Sequence, residues 1–142
     1  LILPGNNNNI NVIFDDRSYR VSGNEIADTV DYILKEEGRR GAKVNVIFVD
    51  DPVIRKLNNE YFGKDRVTDV ISFNFDDELL GEVYVSLPQA RRQAREIDLT
   101  IKEEIQRLVV HGILHLLGYD HEKDDGRMLA KQEHYVRMVS GI

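Results

Sequence analysis

Apolar and polar residues alternate at the start of INVIFDD (residues 10–16) and of KVNVIFVD (residues 43–50), the two-residue period of strands laid against a core. Between them the period lengthens. In SGNEIADTVDYILKEEG (residues 22–38), Ile26, Val30, Ile33 and Leu34 fall on one side of a helix, which a capping box from Ser22 to Glu25 opens and Gly38 closes. DPVIRKLNNEYF (residues 51–62) predicts a second helix, with Asp51 as N-cap and Pro52 at its first position. The β-rich runs TDVISFNF (68–75) and GEVYVSL (81–87), separated by the acidic turn DDELL, predict a hairpin. PQARRQAREI (88–97) starts a third helix on its proline. TIKEEIQRLVVHGILHLLG (100–118) predicts a fourth, with a capping box from Thr100 to Glu103 and a stop at Gly118, and a last helix is expected from about Asp125 to Val139. Four strands interleaved with about five helices, one strand pair joined directly, predict an α+β fold built on a mixed four-stranded sheet.

At 142 residues, 42% hydrophobic and 31% charged, the chain is expected to form one soluble domain over residues 1–142. The absence of cysteine excludes a disulfide framework and leaves any metal to histidine and oxygen ligands. A formal charge of −6 argues against broad wrapping of nucleic acid, so phosphate contacts must be local. Basic residues gather at Arg39, Arg40 and Lys43, at Lys64 and Arg66, and along Arg91, Arg92 and Arg95. With no long apolar run and no leader-like segment, a cytoplasmic protein with no membrane association is expected.

The densest chemistry lies in HGILHLLGYDH, residues 111–121. Residues four apart share a helical face, so His111 and His115 project together, and a turn at Gly118 lets His121 supply a third imidazole. An all-nitrogen tripod with one position open is the ligand set of catalytic zinc, in the manner of the zinc hydrolases; one zinc ion is expected, although imidazole also accepts other divalent transition metals. His134, in the last helix, reads as a surface residue. The spacing H-x-x-x-H-x-x-G-x-x-H is also that of a class of zinc proteases, but Gly112 stands where those enzymes carry a catalytic glutamate. Zinc brings the pKa of bound water to about 7, which makes that glutamate helpful rather than obligatory. Glycine inside a helix costs about 1 kcal/mol, which predicts a close approach at Gly112 by packing or by substrate. Asp120 is the candidate catalytic carboxylate, as base or as orienter of a ligand imidazole, alongside the plain reading of a solvated loop charge. Glu104 shares the stripe of His111 but lies two turns away, about 10 Å along the axis, beyond direct coordination.

These residues, together with LNNEYFGKDRVTDVISFNF (57–75) and LGEVYVSLPQARRQA (80–94), resemble the YbeY family, bacterial rRNA-maturation factors described as metal-dependent single-strand endoribonucleases. The resemblance implies a compact α+β domain with His111, His115 and His121 as zinc ligands. It also implies action on single-stranded RNA in rRNA maturation and ribosome quality control, with the ribosome or a ribosomal subunit as partner. The pattern departs at Phe62, where members of the family commonly carry an arginine thought to matter for activity, and at Val67 and Asn74, where prolines are frequent. Phenylalanine cannot hold a phosphate, which leaves Lys64 and Arg66 as the substrate-binding candidates. Two other readings stand beside nuclease action: a peptide hydrolase resembling the zinc proteases, and a ribosome-associated RNA-binding protein that metal only braces.

Overall fold

The computed structural model describes residues 7–75, 79–120 and 122–140; the acidic turn residues Asp76 to Glu78 and the third histidine, His121, lie outside the described residues. The element order is β1 (Asn9–Phe14), α1 (Gly23–Glu36), β2 (Lys43–Val49), α2 (Asp51–Phe62), β3 (Val70–Asn74), β4 (Leu79–Ser86), α3 (Leu87–Glu96), α4 (Ile101–Leu116) and α5 (Arg127–Val139). The α+β class and the mixed sheet are as the sequence predicts. Strand order is β1-β2-β4-β3: β1, β2 and β4 run parallel, and β3 is antiparallel to β4, so the hairpin inserts β4 into the sheet and leaves β3 at the edge.

Alternation within the strands divides the core in two. Val44, Val46 and Phe48 of β2, with Val83 and Val85 of β4, face a large cluster built on α1, α4 and α5. Ile47 and Val49 turn to the other side and meet Ile71 and, from α2, Ile54. Burial on both faces is why β2 reads as an almost continuous apolar run rather than a strict alternation. Among the described residues, no helix is long and apolar enough to cross a membrane.

Helix ends explain the boundaries and correct three of those expected. The N-cap of α2 is Asp50, whose carboxylate accepts from Val53 N at 3.1 Å. Asp51 is inside the helix, where it accepts from Arg92 at 2.8 Å and from the Ser86 hydroxyl at 2.9 Å, tying α2 to the start of α3. At α1 only half of the capping box forms: Ser22 accepts from Glu25 N at 3.2 Å, while the Glu25 carboxylate pairs with Lys102 at 3.1 Å. The box on α4 is complete: the Thr100 hydroxyl accepts from Glu103 N at 3.1 Å and the Glu103 carboxylate from Thr100 N at 3.0 Å. These bonds hold the Glu103 carboxyl below its ordinary range. The last helix starts at Arg127 rather than Asp125, behind Gly126 with φ 83°, and the Asp124 carboxylate accepts from Met128 N at 2.9 Å in place of a side-chain cap.

Candidate metal centre

Helix α4 carries the site and has the most buried residues of any helix among the described residues, packed against α1, α3, α5 and both strands of the hairpin. Two hydrogen bonds from β3 fix its C-terminal half. The Ser72 hydroxyl donates to Gly112 O at 2.9 Å, and Asn74 Nδ2 donates to Leu116 O at 2.5 Å. Leu116 O is one of the carbonyls that a helix end leaves without an internal partner. Asn74 therefore caps α4, which a proline at that position could not do.

Gly112 faces the sheet. A Cβ there would lie 2.6 Å from Val83 Cγ1, 3.2 Å from Ser72 Oγ and 3.3 Å from Val70 Cγ2. The close approach expected from sequence is thus packing of α4 on β3 and β4, and the position equivalent to the protease glutamate is filled by the protein's own core.

The neighbouring face is open. His111 and His115 are half-buried, and their Nε2 atoms converge to 3.1 Å. The edge of a tetrahedron around an ion bonded at about 2.05 Å is about 3.3 Å, so this pair fits a shared cation. On the far side of the ring, the Nδ1–H of His111 donates to Oε1 of buried Gln132 at 2.7 Å. That bond fixes the tautomer and turns the Nε2 lone pair toward His115. Gln132 has no mark of its own in the sequence beyond being an amide on the buried stripe of α5 with Met128 and Tyr135. His134, two residues on, is exposed and stands edge-on to Tyr135 at 5.1 Å. Among the described residues there is no group of three or more histidines and carboxylates placed to hold a metal.

The two imidazoles open on a groove of about 630 Å³ whose walls include Asn58, Phe62, Lys64, Asp69 and Asp120. Asp120 is half-buried and its Oδ1 accepts from Glu122 N at 3.1 Å. Arg66 is exposed and is not among the lining residues; its backbone carbonyl accepts from Asn58 Nδ2 at 3.1 Å, which shapes the loop that presents Lys64.

Two carboxylates brace this groove from behind. Glu104, fully buried, accepts from Arg107 at 2.6 and 2.7 Å and from Gln93 Nε2 at 2.7 Å. Gln93 Nε2 also donates to Asp69 in the groove wall at 3.3 Å. The hydrogen bonds that the Arg107 guanidinium donates to Glu104 raise it above its ordinary pKa against the opposing effect of burial. Glu37, at the end of α1, accepts from the hydroxyls of Tyr119 and Tyr135 and from Lys131. Burial works to raise the Glu37 carboxyl, but these three donors outweigh it and hold the group below its ordinary range. The knot joins α1 to the residue preceding Asp120 and to α5, which carries Gln132.

The family model described as Endoribonuclease YbeY matches residues 10–140. The chain belongs to the YbeY family. Curated YbeY relatives described as "Endoribonuclease YbeY" include one from Sulfurihydrogenibium sp., 46% identical over 106 residues and covering 70% of each chain. Another, from Aquifex aeolicus, is 40% identical over 124 residues, covering 82% of this chain and 83% of the relative. The solution structure of a Thermotoga maritima protein superposes with a TM-score of 0.70 at 36% identity, covering 93% of this chain and 89% of that one. Membership of the YbeY family accounts for the fold.

Proposed function

We propose that the chain is a metal-dependent endoribonuclease that cuts single-stranded RNA during rRNA maturation in the cytoplasm. One zinc ion would be held by His111, His115 and His121, and the ribosome or its precursors would be the partner. The observation that carries this reading is the convergence of the two Nε2 atoms at 3.1 Å, locked by Gln132, on an open groove in a member of an endoribonuclease family. A bound divalent cation supplies Lewis acidity toward a phosphoryl oxygen and a water nucleophile at neutral pH. His111 and His115 would hold that cation from one rigid helix. Asp120, at the edge of the groove, takes a proton from the attacking water. Lys64 neutralises a phosphate oxygen within the groove, and Arg66 meets the strand beyond the groove's lining. Peptide hydrolysis is disfavoured because the sheet occupies the place of its glutamate.

The test is cleavage of a single-stranded RNA oligonucleotide by zinc-loaded protein, with elemental analysis expected to give about one metal per chain. Cleavage should stop with chelator and in His115→Ala, while circular dichroism of that variant stays native. A folded chain that cuts no single-stranded RNA with zinc, manganese or magnesium supplied overturns the reading. Unfolding of His115→Ala together with metal loss would instead assign the cation a bracing role. Gln132→Ala should weaken zinc binding by about 10- to 100-fold, the usual effect of losing the partner of a ligand imidazole. Competition against a chromophoric chelator measures this, and unchanged affinity would show that Gln132 does not set the His111 ring.

A further inference from the structure

We propose that Phe62 is a stacking platform for an unpaired nucleobase of the RNA strand; this rests on the single-strand nuclease reading and deepens it. Phe62 is the last residue of α2 and lies in the wall of the same groove as His111 and His115, with 52% of its surface exposed. An isolated exposed phenylalanine would call for no explanation, but this one is the outer member of an ordered aromatic row. Its ring lies nearly parallel to that of Phe73, at 17° and 6.1 Å between centroids. Phe73 is in turn clamped edge-on by Tyr61 at 5.0 Å and by Tyr84 at 5.7 Å. Phe73 and Tyr84 pack on the buried cluster of Ile47, Val49, Ile54 and Ile71, which holds the row rigid.

A flat apolar surface fixed in place beside Lys64, the one lysine among the described residues of a groove wall that also carries Asp69, Asp120 and Glu122, has the two halves that single-strand binding needs. Every base offers a π-face to stack, and every nucleotide brings a phosphate to neutralise. Lys64, exposed two residues beyond Phe62 and lining the same groove, supplies the second half. The occupant is therefore a single-stranded nucleotide, its base against Phe62 and its phosphate near Lys64. A base held in a duplex has its faces covered by its neighbours, so the platform also selects single strands. The side chain that cannot grip a phosphate as arginine would is assigned the complementary task.

The experiment compares zinc-loaded wild type and Phe62→Ala for binding of a labelled single-stranded RNA and of the same strand with abasic sites, with cleavage followed in parallel. Stacking predicts that Phe62→Ala weakens the base-bearing strand by roughly 5- to 150-fold and leaves the abasic strand unchanged. Phe62→Trp should retain or tighten binding. Phe62→Arg should steepen the salt dependence by about 0.7 in the logarithmic slope, one phosphate contact having replaced a stack. Equal weakening of both strands, or none, overturns the platform and assigns the exposed ring to another class of partner. If Phe62→Ala does not fold, quenching of 2-aminopurine in the strand by wild type decides instead: quenched emission supports stacking, unquenched emission refutes it. Wild type that cuts RNA while Phe62→Ala weakens base-bearing and abasic binding equally, or neither, would sink the platform alone, whereas failure of wild type to cut would sink the nuclease reading.

Discussion

Gly112→Glu, which writes the protease motif into α4, is expected to destabilise the chain severely rather than to confer peptide hydrolysis. Its Cβ would sit 2.6 Å from Val83 Cγ1, and the rest of the side chain would have to pass between α4 and the hairpin. Forcing extra atoms into a packed core costs about 1–3 kcal/mol, and an uncompensated buried carboxylate about 3–5 kcal/mol more. The gain of about 1 kcal/mol from replacing glycine in a helix is far too small to offset this. Against a total stability of about 5–15 kcal/mol, the net loss of about 3–7 kcal/mol removes about half of the margin. Urea denaturation followed by circular dichroism measures it. A stable Gly112→Glu protein, and still more one that degrades unfolded casein, would show that this face of α4 is open to a side chain.

Arg107→Ala should be the second most damaging change. It leaves the Glu104 carboxylate, buried to 0% exposure, with Gln93 as its remaining side-chain partner. Breaking a buried pair from one side costs about 3–5 kcal/mol; because Arg107 itself keeps a third of its side chain in solvent, the lower end, about 3 kcal/mol, is expected. Adding Glu104→Gln in the same chain should recover part of the loss, since a neutral amide at this position can still bond Gln93. A denaturation midpoint that Arg107→Ala leaves unmoved would mean that solvent already compensates the carboxylate. Gln93 also touches Asp69, so the groove wall should loosen before the sheet does.

Much of this was legible in the chain because the signals are local. The strand periods, the box at Thr100 and the turn at Gly118, with φ 97°, need nothing beyond their neighbours, and the structure realises them. The pairing of His111 with His115 follows from helix geometry alone. Where two candidates competed, local rules were insufficient. Asp51 was expected as the N-cap of α2, but Asp50 fills that place and Asp51 is bonded by Arg92 of the distant α3. Glu25 was likewise drawn from its box by Lys102 of α4. Gln132 was not legible as a site residue, since only the docking of α5 on α4 brings its amide to His111. Asn74 looked like a lost proline until its bond to Leu116 gave it a purpose.

The anchoring of α4 by Ser72 and Asn74 has a thermodynamic corollary for ion uptake. On the proposed reading, an incoming cation would meet two donors that are already aimed, so association would freeze few torsions of the backbone that carries them. Affinity should then be governed by dehydration of the ion and by the third donor, and discrimination among ions by electronic preference rather than by how far the polypeptide must rearrange.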